Sequence, residues 1–171
     1  MEISKGHNHV AELAHAIAFY GEVFREAIEL STSQLIHTAQ ALLADQKDIL
    51  AMNESNPTCN KRFAKLGIPQ SEEARRAYRE LIITMSGLGE SISGAILYDE
   101  TIHQQKKDDT AFLNVLSDAG ILPGIKEDTG AKEISVHPGE KLTEGLDGLR
   151  DRLKEYFQMG ARFAKWRAVI A

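Results

Sequence analysis

The sequence predicts an α/β protein with a parallel sheet, and three observations carry that prediction. Short apolar runs recur at residues 48–52, 92–97, 121–126 and 161–170. Segments of helical period separate them. Helix punctuation lies between the two, as with Ser71-Glu72-Glu73 at a start and Gly120 and Gly160 at stops. Strands that alternate with helices pair in parallel through crossover connections.

Each element has its own reason. Val10, Leu13, Ala14, Ile17, Phe24 and Ile28 recur on roughly helical spacing and predict a helix over residues 9–30. Ser31-Thr32-Ser33 reads as the cap of a second helix, with Leu35, Ala39, Leu42 and Leu43 on one face. The run Asp48-Ile49-Leu50-Ala51-Met52 reads as a buried strand, and residues 59–66 as a short helix. Behind Ser71, Ala74, Ala77, Tyr78, Leu81 and Met85 continue a helix with the right period. After the second strand, residues 112–119 form a helix that stops at Gly120. Gly130, Pro138 and Gly139 mark residues 127–140 as loop. Leu146, Leu149, Leu153, Tyr156 and Phe157 predict the helix before the fourth strand.

Composition narrows the function classes. The 171 residues carry a net charge of −5 and are 43% hydrophobic, an ordinary globular profile. Mild acidity with dispersed Lys and Arg argues against a nucleic-acid partner. No apolar run approaches the roughly 18 residues that suggest a membrane span. Cys59 is the sole cysteine, so an intramolecular disulfide and a Cys-rich zinc site are excluded. The early glutamates (Glu2, Glu12, Glu22, Glu26, Glu29) are unlike a targeting leader, and a cytoplasmic protein is the expectation. His7 and His9 have metal-ligand-like spacing but no third ligand, and no metal or cofactor is expected.

Chemistry is expected at the carboxyl ends of the strands, where parallel sheets bind ligands. These ends read Met52-Asn53-Glu54-Ser55, Tyr98-Asp99-Glu100-Thr101 and Ile125-Lys126-Glu127-Asp128, and the fourth strand carries Lys165 and Arg167. Residues two apart on a strand face the same side, so Lys165 and Arg167 can both point inward. With Lys126 they form a cation cluster suited to a phosphorylated metabolite. A solvated strand end is the competing reading of the same residues.

Five segments resemble class I fructose-1,6-bisphosphate aldolases in their plant-like form. They are the first strand with its exit, from Ile49 to Arg62; Ile92 to Thr101; Pro123-Gly124-Ile125-Lys126; Glu144 to Leu149; and Gly160 to Arg167. They keep the family's order from about Ser31 to the end. The resemblance implies the first half of a (β/α)8 TIM barrel, four βα units. It divides the chain into a helical extension of unknown role over residues 1–30 and a partial barrel domain over residues 31–171.

The resemblance also implies function. The family consists of metal-free, usually tetrameric lyases of glycolysis and gluconeogenesis. They cleave fructose 1,6-bisphosphate into dihydroxyacetone phosphate and glyceraldehyde 3-phosphate, with a lysine iminium as electron sink. Carried over by position, Lys165 assists iminium formation. Ser55, Thr58, Lys126 and Arg167 lie by the carbon 6 phosphate, and Arg62, beside Lys61, by the carbon 1 phosphate. Asn53 stands where the family has an aspartate that takes part in proton transfer at the carbon 4 hydroxyl. An amide can hydrogen-bond there but cannot act as a carboxylate base. Asn60 replaces a usual glycine, and Glu127-Asp128-Thr129 lacks the usual basic residue before the glycine. The iminium lysine belongs to a later strand than the fourth, so this chain alone is expected to be inactive. Either a homo-oligomer or a partner chain is expected to complete the barrel. The alternative is a non-catalytic remnant that serves as a binding or assembly module.

Overall fold

The structure is a computed structural model that describes Glu29 and residues 31–169. The helix expected over residues 9–30 lies outside the described residues, apart from Glu29. Contacts divide the chain into Met1–Gln40 and Ala41–Ala171, and the site belongs to the second unit. Residues 31–42 are helical (α1), so Ser31, Thr32 and Ser33 lie within a helix rather than capping one.

The order that follows is β1 (Asp48–Ala51), α2 (Asn56–Lys65), α3 (Glu72–Ile83), α4 (Leu88–Ser91), β2 (Ile92–Leu97), α5 (Asp99–Ile102), α6 (Phe112–Asp118) and β3 (Leu122–Lys126). It continues with β4 (Gly130–Ile134), β5 (His137–Glu144), α7 (Leu149–Met159) and β6 (Phe163–Lys165). The strands β1, β2, β3 and β6 form one parallel sheet in that order. The expected α/β class and the parallel pairing are therefore observed.

Alternation along the strands gives the sheet two unlike faces. Ala95 and Leu97 of β2 and Ile125 of β3 are buried against Ile83, Ile102, Phe112, Leu116 and Tyr156 from the helices. This is the hydrophobic core. The opposite face carries Gly94, Ile96, Gly124 and Phe163. A Cβ on Gly124 would lie 2.3 Å from the Phe163 ring, and one on Gly94 2.5 Å from Leu42 and 3.2 Å from that ring. The two glycines thus make the room in which Phe163 lies across the sheet.

Two expectations fail, and the expected helix α3 buries a face other than its apolar series, each for a local reason. Residues 127–140 are not all loop, because β4 and β5 form an antiparallel hairpin joined at Ser135-Val136. Pro138 is tolerated because a two-stranded ribbon leaves every second N–H unpaired. The apolar series on α3 is not its buried face. Leu81 and Met85 are exposed, while Arg75, Arg79 and Ile83 are buried. The fourth strand is shorter than expected. It ends at Lys165, so Trp166 and Arg167 follow it in irregular backbone.

Ser71 does cap α3, its hydroxyl accepting a hydrogen bond from the Ala74 amide at 3.2 Å. The arginines it sends inward meet Glu100 of α5. Arg75 grips that carboxylate with two N–H groups at 2.8 and 2.6 Å, and Arg79 binds it as well. Asn56 donates to the same carboxylate at 2.7 Å. The exit of β1 is thereby tied to α3 and α5. Burial works against the Glu100 carboxylate, but the two arginines outweigh it and hold its pKa below the ordinary value.

Candidate functional site

Register fixes which side chains share a level at the carboxyl edge. Ala51 pairs with Ile96, Ile96 with Gly124, and Gly124 with Phe163. These four form one layer on the face opposite the hydrophobic core. Two residues further along each strand, the next layer is Asn53, Tyr98, Lys126 and Lys165, and the Lys126–Lys165 pairing is itself in the ladder. Asn53, Tyr98, Lys126 and Lys165 are all half-buried. Sequence reasoning singled out three of the four, and Tyr98 was passed over. Burial first, then the charges of Asp99 and Glu100, push the Tyr98 phenol up.

The structure gathers some of the expected site residues and leaves others apart. Lys126 and Lys165 meet at Asp128. Its Oδ1 is 2.8 Å from Lys126 Nζ, and its Oδ2 is 4.0 Å from Lys165 Nζ. The Arg167 backbone amide donates to Oδ2 at 3.2 Å. The Arg167 side chain does not join them, because the strand has ended and the residue is exposed. Two residues past the end of β6, Arg167 is no longer assigned a face by strand alternation. Ser55 and Thr58, at the start of α2, touch through their hydroxyls at 3.0 Å. Arg62 pairs with Glu54 and remains exposed. Asn60 accepts a hydrogen bond from Arg75 at 3.0 Å, which gives this amide a structural task.

Electrostatics set the two acids after β3 apart. Burial opposes the Asp128 carboxylate, but Lys126, the Arg167 amide and Lys165 outweigh it and keep its pKa low. Glu127 points the other way. Burial pushes its carboxyl up, with Arg152 as the opposing charge and Asp99 adding to the rise. Its Oε2 is 3.4 Å from Arg152 Nε, and neither oxygen makes a hydrogen bond. In the sequence Asp128 is one acid of the third strand's exit. Nothing in the sequence says that it faces two lysines.

No group of three or more His, Cys, Asp or Glu among the described residues is placed to hold a metal ion. His7 and His9 lie outside those residues. Cys59 is buried, and burial raises its thiol pKa, as suits a packing residue. None of the described helices is long and apolar enough to cross a membrane.

A parallel sheet with its core helices on one face and two lysines at its carboxyl edge on the other is the arrangement of a partial (β/α)8 barrel. Comparisons specify the class further. Residues 34–171 match the family model "Glycolytic: Fructose-bisphosphate aldolase class-I". A probable class 1 fructose-bisphosphate aldolase of Xanthomonas campestris is 57% identical over 141 residues, which are 82% of this chain and 42% of that protein. The chloroplastic fructose-bisphosphate aldolase 3 of Arabidopsis thaliana is 46% identical over 140 residues, 82% of this chain and 36% of that protein. A solved fructose-bisphosphate aldolase of Plasmodium falciparum superposes with a TM-score of 0.77 at 46% identity, covering 80% of this chain and 39% of that one.

The chain belongs to the class I fructose-bisphosphate aldolase family. It spans about two fifths of the length of these relatives, 42% of the Xanthomonas protein.

Proposed function

We propose that this polypeptide supplies the first half of an aldolase barrel, in a lyase that cleaves fructose 1,6-bisphosphate through a lysine iminium. The observation that carries the reading is the layer Asn53, Tyr98, Lys126 and Lys165 at the carboxyl edge of the sheet, in a chain of this family. In the proposal, Lys165 stabilises negative charge as the iminium forms. Lys126, Arg167, Ser55 and Thr58 receive one phosphate, and Arg62 with Lys61 the other. Lys126 and Lys165 suit this role because both already face an anion, the Asp128 carboxylate. Receiving phosphate requires Arg62 to exchange its Glu54 partner, which its exposure allows. The barrel domain is taken as residues 31–171, with residues 1–30 as an extension, in a cytoplasmic protein.

The proposal assigns the iminium to no lysine among residues 1–171. The family pattern puts it on a later strand, contributed by a continuing polypeptide or by a partner chain. The test is borohydride reduction with dihydroxyacetone phosphate, read by intact mass. The 171-residue chain should gain no adduct, and the same chain joined to the remaining barrel strands should gain one per site. Stoichiometric adduct on the 171-residue chain would overturn the assignment.

One observation favours a second reading. Asn53 stands where a proton-transfer carboxylate is expected, and this suits a module that binds sugar phosphate without cleaving it. Retained binding in a complete barrel with no aldehyde released would decide for that reading.

A further inference from the structure

Lys126 and Lys165 pair in register on adjacent strands, which brings two like charges to one level of the sheet. Asp128 answers both. Its side chain is 1% exposed, a burial at which a carboxylate needs charged partners. We propose that Asp128 is a positioning residue, whose fixed carboxylate sets the direction of the Lys126 and Lys165 ammonium groups and so prepares a seat in which Lys126 receives a phosphate ester and Lys165 faces developing negative charge. The seat's ligand rests on the sugar-phosphate reading above. The positioning itself does not.

The backbone shows which partner does the positioning. On one side of Asp128 the Glu127 amide donates to the Lys165 carbonyl at 3.1 Å. On the other the Thr129 amide donates to the Glu144 carbonyl at 2.9 Å. The turn is also pressed from outside. A Cβ on Gly145 would lie 3.0 Å from both the Glu127 carbonyl and the Thr129 amide, and 3.2 Å from Asp128 Cα. Asp128 is therefore clamped, on a short side chain. The lysines have four-carbon stems with many rotamers, so the short fixed acid orders the long mobile bases. Lys126 is held twice, since its ammonium also donates to the Asp128 carbonyl. The remaining neighbour acid, Glu127, faces Arg152 and does not compete for the lysines.

Competitive acetylation of the full chain with acetic anhydride, read lysine by lysine by mass spectrometry, tests this without any ligand. Lys126 and Lys165 should react several-fold more slowly than the exposed Lys65 and Lys141. In Asp128→Asn both rates should rise at least threefold, with Lys65 and Lys141 unchanged. Unaltered rates at Lys126 and Lys165 in a folded variant overturn the proposal. Should the variant not fold, the wild type decides, because Lys126 and Lys165 reacting as fast as Lys65 also overturns it. Titration with fructose 1,6-bisphosphate adds a second readout. Positioning predicts that Asp128→Asn binds about tenfold more weakly, although it has lost a negative charge beside the site. Tighter binding would make Asp128 a mere counter-charge and overturn the proposal. Failure of the wild type to bind overturns the sugar-phosphate reading instead, and the acetylation result still judges Asp128.

Discussion

At the exit of β1 an amide occupies the layer that also holds two lysines, so the proposed lyase would lack a carboxylate for proton transfer there. In a complete barrel, Asn53→Asp should raise the rate of fructose 1,6-bisphosphate cleavage at least tenfold, measured as release of triose phosphate. An unchanged rate would mean that another group moves the proton. The acids after β3 make separate predictions. Asp128 has its pKa held below its ordinary 3.8, so its contribution to stability is present above that pH and is lost as pH falls through the folded value. Glu127 has its pKa raised above its ordinary 4.5, so the native state gains stability as pH falls through that raised value toward 4.5. Thermal melts of Glu127→Gln should lack this gain between pH 7 and pH 4.5. A melt profile parallel to wild type would contradict it. The lysines, Ser55, Thr58 and Asn53 were legible at this scale because they sit in strand-exit motifs. Asp128 and Tyr98 sit in strand exits too, but their roles depend on register with neighbouring strands, which no local pattern encodes.

At the scale of elements, helix α3 reverses the usual reading of an amphipathic pattern. Its inward face carries Arg75 and Arg79, and one carboxylate from α5 pairs with both. Glu100→Gln should therefore destabilise the protein by roughly 3 kcal/mol or more, because it leaves buried guanidinium groups without a counter-charge. Denaturant unfolding at neutral pH measures this, and a loss below about 1 kcal/mol would show that water or other groups compensate. Gly124→Ala tests the other sheet face. The added methyl meets the Phe163 ring at 2.3 Å, and the overpacking should cost about 1–3 kcal/mol. The sequence made the first three strands legible, since short apolar runs between punctuated helices leave little choice. It hid the α3 face because charged residues are read as outward by default. It hid the β4–β5 hairpin because glycine and proline read as breakers even in a ribbon that accommodates them.

At the scale of the molecule, the parallel sheet has β1 and β6 at its edges, each paired with one neighbouring strand among the described residues. The order of the five family segments made a partial barrel legible before any coordinates. What the sequence could not convey is how the edges are satisfied, since pairing between chains leaves no periodic mark. Gel filtration of the 171-residue chain should show a dimer or larger species, and a stable monomer at micromolar concentration would contradict edge pairing between chains. The account stands most directly on whether the lysine layer receives a sugar bisphosphate. Isothermal titration of fructose 1,6-bisphosphate into the wild-type chain and into Lys126→Met decides it. Saturable binding by the wild type that weakens at least tenfold in the variant is the predicted result. No binding by the wild type, or equal binding by both proteins, would contradict it.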